Sequence, residues 1–163
     1  MHSFLRLNSF KIYNILLIIV FSIIVNDNHS FPLIYTAFYC IFHFLIIYLG
    51  VYYYRKQLYF IYFLYGLGLD IFWLNEIGPH LIVFMSMLVF FNLSTKYFYN
   101  LSSFKIYVVL IIIQLTMISF EVFVSFFLLN FSFNLNYFIQ IYLSTLLLSF
   151  PIFLFFSKID KYK

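Results

Sequence analysis

The sequence predicts an all-α integral membrane protein: one bundle of six transmembrane helices with both termini in the cytoplasm. Three observations predict it. Of the 163 residues, 66% are hydrophobic and only 9% charged, against roughly 45–50% apolar and about 25% charged in soluble domains. A soluble chain this short has no interior large enough to hide so much apolar surface. Six segments come close to the roughly 20 apolar residues that a bilayer core of about 30 Å requires. Finally, all nine Lys and Arg residues fall on one side of the resulting alternation, which the positive-inside rule assigns to the cytoplasm.

The expected spans are residues 9–25, 31–54, 57–74, 79–95, 104–129 and 133–156 of a single domain covering 1–163. Arg6 and Lys11 stand at the start of the first span, and an apolar run continues to Val25. The following "IIVNDNHS" lacks the small-residue pattern of a signal-peptide cleavage site, so a retained helix is expected. The second span carries the sole cysteine, Cys40, and a near-central His43, and ends in "YYY" beside Arg55 and Lys56. Those tyrosines suit an interfacial aromatic belt. A lone cysteine excludes an intramolecular disulfide and argues against a thiolate metal site.

The third span gathers Gly66, Gly68 and Asp70, with the only tryptophan, Trp73, near its end. "NEIGP" then turns the chain. Gly78 is a permissive turn residue, and Pro79 suits the first turn of the next helix. The fourth span, 79–95, is a short apolar run that carries His80 near its start. Lys96 and Lys105 flank the connection to the fifth span, which contains Gln114 and Glu121. The sixth contains Gln140 and leads to Lys158, Lys161 and Lys163. The three opposite connections, near 26–30, 75–78 and 130–132, hold no Lys or Arg but include Asp27 and Glu76.

The polar residues inside the spans are the candidate functional positions. Glycine inside a helix costs about 1 kcal/mol of propensity relative to alanine, and in membranes small residues let two backbones approach. Gly66 and Asp70 are four apart and share a face. Asp70 lies about one turn, roughly 6 Å, below the outer interface. It reads either as an acid reaching water or as a helix-packing or partner-binding position. Glu121 lies roughly 12 Å deep, and no Lys or Arg shares that depth. It is expected to be a neutral carboxyl that hydrogen-bonds inside the bundle, with Gln140 as its partner.

Catalytic signatures are absent. There is no Gly-x-Ser-x-Gly elbow, no His-Glu-x-x-His and no glycine-rich phosphate loop. The histidines are scattered at 2, 29, 43 and 80. No cofactor, metal or nucleic acid is called for, since the net charge of +4 lies along one membrane edge.

The set Gly66, Asp70, Gly78, His80 resembles a motif of the rod-shape-determining MreD family: a glycine-containing helix ending in Gly-x-x-x-Asp, then Gly eight residues on and His two later. The length, the short-looped bundle and the basic tail are similar too, while Asn75 and Glu76 replace the small residues usual in that turn. The resemblance implies a non-enzymatic inner-membrane component of the bacterial cell-elongation complex. It also implies that the protein works through helix contacts, among membrane lipids, beside MreC, the actin-like MreB, and the synthase and transpeptidase of lateral peptidoglycan. The candidate packing or partner-binding residues are then Gly66, Gly68, Asp70, Gly78, Pro79 and His80. An alternative is the substrate-binding subunit of an energy-coupling-factor vitamin transporter, a similar six-helix fold. Its Ala-x-x-x-Ala coupling motif has no counterpart here, because Ala37 is the only alanine.

Overall fold

The computed structural model describes residues 2–26, 32–74, 78–98, 101–129 and 135–161. The expected corner residues Asp27, His29, Asn75, Glu76 and Asn130 lie outside the described residues. Among these residues six α-helices follow one another: α1 His2–Asn26, α2 Pro32–Tyr52, α3 Gln57–Leu69, α4 Pro79–Phe98, α5 Ser103–Leu129 and α6 Leu135–Lys161. A π-helical turn, Asp70–Leu74, extends α3. No strand occurs among the described residues.

The helix ends follow local chain chemistry more than the limits of the apolar runs. α1 starts well before residue 9 and α6 runs past 156 to Lys161, because a helix continues through polar residues until a turn signal stops it. α2 stops at Tyr52, short of residue 54. The reversal into α3 uses the next residues, with Leu58 N–H donating to the Arg55 carbonyl at 3.0 Å and Tyr59 N–H to Lys56 at 3.2 Å. Pro151 sits inside α6 and removes one backbone donor there.

Among the described residues, four helical stretches are long and apolar enough to cross a membrane: Leu33–Tyr52, Pro79–Phe98, Phe104–Leu128 and Phe138–Asp160. Phe10–Asn26 and Gln57–Phe72 are apolar but shorter. Four of the six expected spans therefore coincide with stretches of spanning length and two with shorter apolar stretches. The 13 residues of α3 and 5 of the π turn reach about 27 Å at 1.5 Å per residue.

α2 is the hub. Every residue from Phe42 to Val51 is buried, and α1, α4, α5 and α6 all touch it. A helix apolar on every face belongs in an interior, and α2 takes that place. α3 lies along α4, α4 along α5, and α5 along α6. The outward faces stay apolar, as with Ile15, Ile18 and Ile19 on α1, Phe126 and Phe127 on α5, and Leu143, Leu147 and Phe150 on α6.

Tertiary contacts fix which helix ends lie together. Tyr13 of α1 meets Tyr48 and Phe156, and the Gly50 position abuts Phe91 and Tyr62. That end joins the start of α1, the end of α2, the start of α3 and the ends of α4 and α6. Gly68 abuts Phe21, and Gly78 abuts Leu128, so the opposite end joins the ends of α1, α3 and α5 with the start of α4. Lys11, Arg55, Lys56, Lys96, Lys105 and Lys158 all belong to elements at the first end.

Candidate functional site: a helix clamp and a buried histidine–glutamate pair

The start of α4 has no capping side chain of its own. Gly78 and Pro79 open it, and its first backbone N–H groups need acceptors. Asp70, at the first position of the π turn, supplies them from the neighbouring helix. Its carboxylate accepts the backbone N–H of Gly78, His80 and Leu81, each at 3.0 Å. The His80 ring adds a fourth contact, Nδ1 to Oδ1 at 2.8 Å. A carboxylate at a helix N-terminus is also favoured by the helix dipole. Asp70 has 0% of its surface exposed, so the water-reaching alternative is replaced by a fully enclosed one.

Gly66 lies one turn before Asp70 and makes this geometry possible. A Cβ there would stand 2.9 Å from Leu81 Cα and 3.2 Å from Leu81 N. The α3 and α4 backbones touch at this point, which brings Asp70 within reach of the α4 N-terminus. Gly68 faces elsewhere, toward the Phe21 ring of α1. Pro79 and His80 are buried, and a Cβ at Gly78 would stand 3.4 Å from Leu128 of α5. Gly66, Asp70, Gly78 and His80 thus form one clamp between α3 and α4, with Pro79 inside it and Gly68 on a different face.

Glu121 sits in the bundle interior, 3% exposed, and its partners are on α2. His43 Nε2 lies 2.8 Å from Oε1 and 3.1 Å from Oε2. The Tyr39 hydroxyl donates to Oε2. The expected partner, Gln140, is a half-buried residue of α6 and takes no part. α5 turns Glu121 toward α2 at this level, and the basic group it meets there is a histidine rather than a lysine or arginine. The spacing Tyr39–His43, one helical turn on one face, was the readable signal for this site. Nearby, Gln114 Nε2 donates to the Cys40 carbonyl at 2.8 Å, and Cys40 Sγ lies 3.3 Å from Thr145 Oγ1. Gln114 Oε1 is buried without a partner among the described residues.

A third polar centre has no counterpart in the sequence reading. Asp160, near the end of α6, accepts Tyr13 Oη at 3.0 Å and Tyr53 Oη at 2.6 Å on Oδ1, and Tyr48 Oη on Oδ2. Its surroundings in sequence, "SKIDKYK", suggest a solvated tail, and nothing local marks the three tyrosines.

Among the described residues, no group of three or more His, Cys, Asp or Glu side chains is arranged to hold a metal ion. The site residues instead tie helices together, and the two histidine–carboxylate pairs are its titratable elements. The class defined by fold and site is an all-helical bundle with an apolar exterior and buried polar ties. Compared with models of protein families, with curated proteins and with solved structures, the chain gives no match.

Proposed function

We propose that this chain is a multi-pass protein of the bacterial inner membrane, with both termini cytoplasmic, and that it is a non-enzymatic scaffold of the MreD type in the cell-elongation complex. The observation that carries the reading is the clamp. The four residues on which the MreD resemblance rests, Gly66, Asp70, Gly78 and His80, are far enough apart in sequence to serve unrelated purposes, yet they converge on one contact between α3 and α4. Two further features support it. Lys11, Arg55, Lys56, Lys96, Lys105 and Lys158 belong to elements at one end of the bundle, and large apolar side chains face outward along the helices.

On this reading the clamp is internal. It sets the angle and height at which α3 and α4 are presented, and the partner contacts the outer surface they carry. Phe63, Leu64, Ile71 and Phe72 are exposed on that surface. MreC is the proposed partner there, with MreB and the peptidoglycan synthase and transpeptidase in the same complex.

The test is co-purification with MreC from solubilised membranes, combined with depletion of the chain in the cell that makes it. Association with MreC and rounding of depleted cells are expected. Normal rods after depletion, with no MreC recovered, would overturn the reading. Recovery of the ATPase subunits of a vitamin transporter would replace it with the transport alternative.

A further inference from the structure

The hydrogen-bond inventory of His43 leaves only one of its protons free to vary. Nδ1 faces the Tyr39 backbone carbonyl at 2.9 Å. A carbonyl only accepts, so Nδ1 carries its hydrogen in every state. Nε2 faces both oxygens of Glu121, at 2.8 and 3.1 Å. One proton between Nε2 and the carboxyl makes the pair neutral, whichever atom holds it. Two protons leave a net positive charge, and none leaves a net negative one.

We propose that the His43–Glu121 pair is a proton-binding site, and that its occupancy sets how tightly α2 is held against α5. The singly protonated pair binds the two helices with a charge-assisted or neutral hydrogen bond and no net charge. Binding a second proton, or losing the shared one, places a net charge among apolar side chains, where charge is strongly disfavoured. The α2–α5 contact then loosens.

The neighbours do not supply a compensating charge of fixed sign. From α2, Tyr39 donates to Glu121 Oε2, and the Cys40 thiol is engaged with Thr145 of α6. From α6, the Tyr142 hydroxyl bonds Ser119 and the Leu115 carbonyl on α5. From α4, His80 is paired with Asp70 of the π turn. On α5, Gln114 is neutral. Among the described residues, neither Lys nor Arg makes an ion pair at this level. His43 has 0% of its surface exposed, and Phe84 and Phe42 pack on its ring, so bulk water does not screen the pair. The inference goes beyond the scaffold reading and does not depend on which partners the bundle binds.

The test uses the full-length protein in a neutral detergent. Its unfolding rate is measured from about pH 5 to about pH 9, the range over which a histidine-linked site responds. Wild type should unfold most slowly at an intermediate pH, and about tenfold faster toward either extreme. Glu121→Gln keeps a neutral hydrogen-bonded pair, with the amide N–H donating to Nε2 and its carbonyl accepting from Tyr39. It should match wild type near the optimum and lose the loosening toward high pH, while protonation of His43 still loosens it toward low pH. A merely structural role would leave the pH profile of this variant like that of wild type, and that result overturns the proposal, as does a flat wild-type profile. Should Glu121→Gln fail to accumulate, the 15N signals of the His43 ring in wild type decide. Movement of the Nε2 signal across this pH range supports the site, and constant signals overturn it.

Discussion

Replacing Gly66 by alanine adds a single methyl group at the point where two backbones meet. That methyl would stand 2.9 Å from Leu81 Cα, 3.2 Å from Leu81 N and 3.3 Å from the His80 carbonyl oxygen. Carbon atoms in comfortable contact are about 3.5–4.0 Å apart, so α3 and α4 must separate by roughly 0.6–1 Å. No side chain can rotate to absorb that. The separation falls on the three 3.0 Å bonds from Gly78, His80 and Leu81 to Asp70, which lengthen together. Overpacking of this kind costs roughly 1–3 kcal/mol. Alanine recovers about 1 kcal/mol of helix propensity, which leaves a net loss of about 0–2 kcal/mol. Gly68→Ala is the internal control. Its methyl would meet Phe21 Cζ at 2.8 Å, but that atom is the far end of a side chain that can swing aside. It should be neutral or stabilising by up to about 1 kcal/mol. Unfolding of the two purified variants by denaturant in mixed micelles measures the difference, expected at about 1–2 kcal/mol in favour of Gly68→Ala. Equal stabilities, or the reverse order, would refute the backbone-contact account of Gly66.

Asp70→Asn places an amide N–H₂ where the α4 N-terminus offers only donors. It should destabilise by roughly 1–3 kcal/mol, read as a lower unfolding midpoint, and a midpoint equal to wild type would show that Asp70 does not cap α4. Gly50→Ala should be worse than Gly66→Ala, because its methyl would lie 2.5 Å from Phe91 Cδ2 and 2.8 Å from Tyr62 Oη, both in fully buried rings. Poor accumulation or a much lower unfolding temperature is expected, and normal behaviour contradicts that tight contact. Asp160→Leu should free the end of α6 from α1 and α2 and raise the rate of tryptic cleavage after Lys158, while Tyr53→Phe should do so less; unchanged cleavage in both would mean the tyrosine contacts do not hold the tail. For topology, reporters fused after Asp27, Asn75 and Asn130 should read as external, and after Lys56, Asn100 and Lys163 as internal. One inverted reporter in the series would break the proposed alternation.

The helices were legible in the sequence because their signals are local. Gly78 followed by Pro79 marks the start of α4, Arg55–Lys56 marks the reversal after α2, and long apolar runs mark the rest. The grouping of Gly66 with Asp70 was legible from spacing, since residues four apart share a helix face. That Gly68 points to α1 instead follows from the same periodicity, two residues being about 200° around a helix. What the sequence does not carry is the identity of the facing residue across helices. Glu121 could be seen to need a partner, but His43 is 78 positions away, and only the placement of α2 at the centre brings the two together. Asp160 is harder still. It stands between lysines in a tail that reads as solvated, and its three phenol partners come from α1 and from the segment ending α2. The π turn at Asp70–Leu74 had no sequence signal either. It begins at the residue whose side chain reaches the neighbouring helix, where a wider turn alters the aim of that side chain.

These polar ties explain why an almost wholly apolar chain takes one arrangement of six helices. In lipid, as proposed above, burying an apolar face against another helix gains little over leaving it in hydrocarbon, so close contact and interhelical hydrogen bonds must decide which helices are neighbours. Each helix here is held by at least one such bond. Asp70 ties α3 to α4, and Tyr62 Oη of α3 donates to the Ile46 carbonyl of α2 at 2.6 Å. Glu121 and Gln114 tie α5 to α2, Cys40 ties α2 to α6, and Asp160 gathers α1, the end of α2 and α6. Apolar contacts along the helices are interchangeable in kind, and a slide of one turn would exchange one leucine or phenylalanine for another. The hydrogen bonds are not interchangeable, because the same slide of about 5.4 Å would strand a buried carboxylate. The few acidic residues therefore specify the register of the bundle even though each bond adds little to its stability. In the His43–Glu121 pair, that specification also depends on a proton.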